Sequence, residues 1–237
     1  MTKPNADEHL KIGAIIFPGM DQMDFTGPFE VLSRVPNSTF YISWKDKTPV
    51  RDARGLLLTP DTTLAETPPL DVLVVPGGSG QVELMEDETV LAFLRSQAAN
   101  ARLVFSVCTG ALTLGAAGLL RGVKSTTHWA SFHVLQHFNA IPTNERVVTD
   151  GKFVSAAGIS SGIDGALRVA AMLRGDAVAQ GIQLYMEYAP EPPFDSGKPE
   201  TAPQDVLTTA RAAASELGEK RVKMAKRISA GWGKKQN

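Results

Sequence analysis

Cys108 is the only cysteine in the chain, and it stands in Ser106-Val107-Cys108-Thr109-Gly110, between a short apolar run and a segment of helical spacing. Residues 103–107 are continuously apolar apart from Ser106 and rich in β-branched and aromatic side chains, which reads as a buried strand of a parallel sheet. A strand that turns abruptly into a helix lifts the turn residue out of the sheet's carboxyl edge and sets it beside the first helical amides, the geometry of a nucleophile elbow. Those amides and the helix dipole favour thiolate over thiol, so the expected chemistry is nucleophilic attack on an electrophilic carbon. Gly110 allows the tight turn. By its type alone a lone cysteine reads as a small buried hydrophobe; its position at the junction is what argues for a nucleophile.

Asp24 is the leading partner. A carboxylate near a thiolate is pushed toward its protonated form by like-charge repulsion and desolvation, and could then give and take protons near neutral pH. Its competing role is to cap the following helix, although Pro28 moves the expected cap to Thr26 or Gly27. Glu30 should ride on that helix. Gly77 and Gly78 offer backbone amides that can approach a bound oxygen closely, although a plain strand-ending turn explains the pair as well. Four histidines are available as bases. His9 falls in a terminus expected to fray, and His133 and His137 are four apart on an expected helix without a third metal ligand, so no metal is expected. His128, beside Trp129, is placed near the site, with a structural role the stronger reading. Gly77-Gly78-Ser79-Gly80 lacks the Lys-Ser/Thr ending of a phosphate-binding loop.

The elements that must position these groups alternate between strand and helix. Residues 11–17 form a first buried strand, stopped by Pro18-Gly19, and Phe25, Phe29 and Leu32 recur at helical spacing to about Arg34, with Gly27 and Pro28 near the helix start. Residues 39–45 and 55–58 read as strands, antiparallel near a sheet edge. Residues 71–75 are a further apolar strand ended by Pro76-Gly77-Gly78, and residues 88–99 a helix. Beyond the elbow, Thr127-His128-Trp129 leads into an amphipathic segment to Phe138. Residues 147–156 form two strands joined at Asp150-Gly151, a type I′ signal. Helices follow, marked by Ile163, Ala166, Leu167, Ala170 and Leu173, and then by Val178, Ile182, Tyr185 and Met186. Residues 189–203 carry five prolines and read as an extended surface segment. Leu207, Ala210, Ala214, Leu217, Met224 and Ile228 stripe a last helix.

This pattern predicts an α/β three-layer sandwich, flavodoxin-like, with helices on both faces of a mostly parallel sheet. Ligands bind such sheets beyond the carboxyl ends of the strands, where the loops 18–28, 76–80, 108–110 and 158–162 converge. One catalytic domain is expected over residues 11–203, after a flexible N-terminus (1–10) and before a C-terminal helix (204–237) that packs on the domain or on a partner copy.

Composition excludes other classes. At 237 residues and 43% hydrophobic, the chain has ample length for one core, and a single cysteine allows no internal disulfide. A net charge of -1 implies no general affinity for nucleic acid or anionic lipid, and the seven Lys and Arg between 220 and 235 read as the solvated face of a helix. Residues 1–10 are polar and are not expected to act as a secretory signal, and no apolar run approaches the ~20 residues of a membrane span. Cytoplasmic residence is the expectation.

Asp24-Phe25-Thr26-Gly27-Pro28, Pro76-Gly77-Gly78, Ser106-Val107-Cys108-Thr109-Gly110 and Thr127-His128-Trp129 together resemble the ThiJ/PfpI superfamily, whose fold is glutamine amidotransferase-like. The resemblance extends over residues 11–230. Peptidase and glyoxalase-like members usually follow the cysteine with histidine or pair it with glutamate. Here Thr109 follows Cys108 and the acid is Asp24, which is similar to the isonitrile-hydrating branch, as are residues 187–194 and Thr201-Ala202-Pro203. The resemblance implies hydration of a small isonitrile to an N-substituted formamide by a lyase needing no cofactor, with Cys108 as nucleophile, Asp24 as acid and base, and Thr109 positioning. It also implies Gly158 and Ile159 beside the cysteine as an apolar wall, and a homodimer, which the C-terminal stripe would favour. Glyoxalase or deglycase activity and a redox-sensing role would use the same cysteine. A transcriptional regulator would need a helix-turn-helix module for which the last 35 residues are too short.

Overall fold

The computed structural model describes residues 7–232. In chain order the elements are β1 (Leu10–Ile15), α1 (Gln22–Leu32), β2 (Ser38–Trp44), β3 (Val50–Arg51), β4 (Leu57–Leu58), β5 (Thr62–Thr63), β6 (Val72–Val75), α2 (Gln81–Leu84), α3 (Glu88–Asn100), β7 (Leu103–Val107) and α4 (Gly110–Ala116). Then follow β8 (Lys124–Ser125), a 3₁₀ helix (Trp129–Phe138), β9 (Ile141–Pro142), β10 (Val147–Asp150), β11 (Phe153–Ala156), α5 (Ser161–Arg174), α6 (Asp176–Tyr185) and α7 (Gln204–Trp232).

The central sheet has the order β10-β11-β7-β6-β1-β2-β5, and every pairing in it is parallel except β10 with β11. Burial of both faces explains the unbroken apolar runs: all four residues of β6 and all five of β7 are buried. Helices α1, α5 and α6 pack together over one face, while α2, α3, α4, the 3₁₀ helix and α7 cover the other. The expected three-layer α/β sandwich is the fold. Its register aligns Ala14 with Val74, Val74 with Phe105 and Phe105 with Val154, so the loops leaving β1, β6, β7 and β11 emerge side by side.

Local expectations fare unevenly. Residues 55–58 do not pair with β2: Leu57 and Leu58 join Val50 and Arg51 in a separate ribbon, and β2 lies parallel between β1 and β5. The β10–β11 turn uses Gly151-Lys152, since Asp150 already pairs with Phe153, and only Gly151 carries a positive φ, of 55°. That excludes type I′, which needs positive φ at both central residues. Helix α1 starts earlier than expected. Asp21 is its cap, its side chain accepting from the Met23 N–H at 3.2 Å, and Pro28 lies inside the helix.

Of the N-terminal segment expected to be flexible, residues 1–6 lie outside the described residues. His9 is tied to Asn37 Oδ1 and Thr39 Oγ1, each at 2.9 Å. The stripe of α7 packs on the 3₁₀ helix, α2 and α4, with Leu207 buried and Leu217, Met224 and Ile228 half-buried against the core. Of the basic run over 220–235, Lys220, Lys223, Lys226 and Arg227 face solvent as expected, Arg221 is buried, and Lys234 and Lys235 lie outside the described residues.

Candidate active site

Cys108 follows directly on β7 and has φ 55°, a left-handed conformation that costs a residue with a Cβ on the order of 1–3 kcal/mol. Three contacts hold it there. Its N–H donates to the Ala156 carbonyl at 3.0 Å, its carbonyl accepts from Thr127 Oγ1 at 2.7 Å, and Gly110 lets the chain turn where any Cβ would stand 2.0 Å from the Val75 carbonyl oxygen. The elbow is therefore built by its neighbours, and Cys108 is only 6% exposed.

Asp24 reaches the same edge from the first turn of α1. It is fully buried, and its Oδ2 accepts the Gly77 N–H at 3.0 Å while Oδ1 has no hydrogen-bond partner. Gly77 is required here, because a Cβ would come within 2.5 Å of the Thr109 nitrogen and 3.0 Å of Asp24 Oδ2. Its carbonyl in turn accepts from the Asp21 N–H at 2.9 Å, so the capping residue and the acid are fastened to one loop. Gly78, with φ 129°, donates its N–H to Thr109 Oγ1 at 3.1 Å. That amide, expected to face a substrate, is thus occupied by the threonine that follows Cys108. The amide left facing the sulfur is that of Thr109 itself.

The electrostatics differ from the expectation drawn from the elbow alone. Burial, and second the charge of Asp24, push the Cys108 thiol well above its ordinary range; the Thr109 amide and the charge of Arg221 pull the other way without prevailing. Desolvation outweighs the amides and helix dipole because a thiolate with 6% exposure has lost nearly all its water. Asp24 is raised to about 7, chiefly by burial and then by Asp21, while the Cys108 thiol and the Gly77 amide oppose the shift. The result is a thiol that keeps its proton at neutral pH beside a carboxyl that gains and loses one there, so Asp24 is the group of the pair poised to move protons.

His128 lies beside Gly158, whose added Cβ would sit 3.6 Å from the imidazole Cδ2, and its ring is 5.5 Å from that of Trp129. Burial and the charge of Arg221 lower its pKa, and Nδ1 accepts from the Ala130 N–H, so it serves the start of the 3₁₀ helix. Ser161 Oγ accepts from the Gly158 N–H at 2.9 Å and closes the loop after β11; Ile159 on that loop is half-buried and outside the core. His133 and His137 sit on 3₁₀ rather than α geometry, where positions four apart point about 120° away from each other. Among the described residues no three His, Cys, Asp or Glu side chains converge as a metal site. A cavity of about 830 Å³ between the 3₁₀ helix and α7, lined by Trp129, Phe132, His133, Gly218 and Val222, does not include the cysteine loop.

Two side chains at the site were not expected from sequence. Thr127 anchors the elbow carbonyl, and Arg221 donates to the Gly78 carbonyl at 2.8 Å. Arg221 had a signal: it lies four residues after Leu217 and three before Met224, in phase with the apolar stripe of α7.

A family model described as the DJ-1/PfpI family matches residues 10–172. A protein of Pseudomonas putida named isonitrile hydratase is 50% identical over 221 residues, 93% of this chain and 97% of its own. Protein DJ-1alpha of Drosophila melanogaster is 30% identical over 80% of this chain and 90% of its own. The crystal structure of a ThiJ/PfpI family protein from Pseudomonas syringae superposes with a TM-score of 0.90 at 38% identity, covering 92% of this chain and 91% of that one. With its model matched from β1 into α5, this chain belongs to the DJ-1/PfpI family.

Proposed function

We propose that this protein is an isonitrile hydratase, adding water to R-NC to give the formamide R-NH-CHO. The observation that carries the reading is the buried pairing of Asp24, raised to about 7, with Cys108 on its elbow, in a chain 50% identical to a protein named for that activity. The terminal carbon of an isonitrile is soft, uncharged and borne on a linear group, so it suits a recessed sulfur; protonation of that carbon makes it electrophilic.

In the mechanism, Asp24 takes the Cys108 proton as Sγ attacks the terminal carbon, and delivers it to that carbon. An S–C and a C–H bond form, giving the thioimidate R-N=CH-S-Cys108 and an ionised Asp24. Asp24 then takes a proton from water as the hydroxyl adds to the same carbon, and passes that proton to nitrogen. Finally Asp24 accepts the hydroxyl proton, the C–S bond breaks, and the formamide leaves; returning the proton to sulfur restores the pair. Thr109 positions the loop through its hydroxyl and gives its amide to the sulfur. Gly158, Ile159, His128 and Trp129 form the wall toward which R projects.

Supporting a neutral small-molecule partner, the residues around the sulfur offer one acid and little open surface. No described helix is long and apolar enough to cross a membrane, and a chain working through one reduced thiol suits the cytoplasm. The homodimer assignment rests on exposed Leu184 and Tyr185, 78% and 74% accessible at the end of α6; light scattering at micromolar concentration tests it, and a monomer refutes it.

Formamide production from cyclohexyl isocyanide tests the reaction. Wild type should turn over, Cys108→Ala should lose activity, and Asp24→Asn should fall by about 10²–10⁴-fold as a lost general acid and base. No formamide from a folded, reduced wild type overturns the reading.

A further inference from the structure

Arg221, on the chain's last helix, is 6% exposed, a charged side chain withdrawn from water far along the sequence from the rest of the site. Its donors go to neutral acceptors: Nη2 to the Gly78 carbonyl at 2.8 Å, Nη1 to Ser131 Oγ at 3.1 Å and Nε to Gln81 Oε1 at 3.3 Å. Among the described residues it forms no ion pair with a carboxylate. A buried guanidinium without an anion is costly, and the cost is recovered if an anion forms beside it when the protein works. The group whose negative charge favours it is Cys108.

A second connection runs through hydrogen bonds. The carbonyl held by Arg221 belongs to Gly78, whose N–H donates to Thr109 Oγ1 at 3.1 Å, and Thr109 follows the cysteine directly. Gly77, the preceding residue, holds Asp24. One guanidinium on α7 therefore steadies the loop that grips both the acid and the residue after the nucleophile.

We infer that Arg221 is a positioning residue of the site, fixing the Gly78 peptide beside Thr109 and acting as counter-charge to the thiolate that forms when Cys108 attacks. This deepens the hydratase reading and makes α7 part of the active site. The charged groups facing the cysteine are Asp24 from α1 and Arg221 from α7. Asp21 acts on Asp24, and burial and the charge of Arg221 lower the pKa of His128, favouring its neutral imidazole.

The test is the pH dependence of Cys108 alkylation by iodoacetamide, unambiguous because the chain has one cysteine. It is measured on wild type, Arg221→Met and Arg221→Lys, with circular dichroism to establish folding and formamide kinetics alongside. In Arg221→Met the alkylation profile should move to higher pH by about one unit, a tenfold slower reaction at pH 7.5. Arg221→Lys keeps the charge but not the fork of donors, so its profile should stay near wild type while kcat falls several-fold with KM unchanged. A folded Arg221→Met with the wild-type alkylation profile overturns the counter-charge role. If Arg221→Met does not fold, Arg221→Lys decides: reduced kcat with an unshifted profile supports the inference, and wild-type kcat overturns it. Alkylation requires no isonitrile, so a protein that makes no formamide would sink the hydratase reading while leaving the Arg221 test intact.

Discussion

Gly77 and Asp24 are 53 residues apart in the chain, yet the N–H of one donates to Oδ2 of the other at 3.0 Å, in a space no side chain on residue 77 could share. The acid is thus aimed by a backbone amide from a different strand's loop. Its second oxygen carries no protein hydrogen bond, which leaves it available to the thiol and to a substrate.

Gly77→Ala should therefore injure chemistry and stability together. Its methyl would stand 2.5 Å from the Thr109 nitrogen and 2.6 Å from Thr109 Oγ1, both parts of a rigid elbow. Overpacking of this kind costs about 1–3 kcal/mol. Thermal melts should show the loss, and formamide assays at a temperature where the variant is folded should show activity reduced beyond what unfolding explains. Wild-type activity in the variant would mean the loop is more compliant than this contact implies.

Asp24 should make the folded state weaker as pH rises. Its carboxyl is raised from 3.8 to about 7, so between those values the native state binds more protons than the unfolded one. The stabilisation of the protonated acid is fully present below pH 3.8 and is lost as pH climbs through 7, on the order of 4 kcal/mol in all. Asp24→Asn carries no such charge and should be more stable than wild type at pH 8 while losing activity. Urea denaturation of both proteins from pH 5 to 8 measures the difference; parallel curves would contradict the raised carboxyl.

Cys108→Gly should be inactive and no less stable than Cys108→Ala. At φ 55° an alanine keeps the left-handed strain and a glycine removes it, a difference of about 1 kcal/mol in favour of glycine. Denaturant midpoints compare the two directly. If alanine proves the more stable, the elbow is not strained in solution.

Much of this could be read along the chain. The strand over 103–107, the cysteine after it and Gly110 behind it are consecutive, and their pattern is local: apolar run, turn, helical spacing. The layered fold was equally legible, since buried strands alternating with amphipathic helices admit few other architectures. Pairing was less so. Residues 55–58 carry strand character but nothing that names a partner, and of them only Leu57 and Leu58 pair, with β3 rather than β2.

Sequence by itself determined the elbow, the cysteine placed on it and the layers that carry them, because periodicity and turn chemistry act over a few residues. Tertiary structure decided which way the site is tuned. The thiol is pushed up rather than down because burial depends on every layer around it, and no local pattern reports that. Arg221 lay in plain view within a basic run, but only the packing of α7 on α2 and the 3₁₀ helix takes that one guanidinium out of water and sets it on Gly78. Proximity between loops separated by tens of residues is set by the parallel register of β1, β6, β7 and β11, a long-range property that emerges when the sheet is assembled.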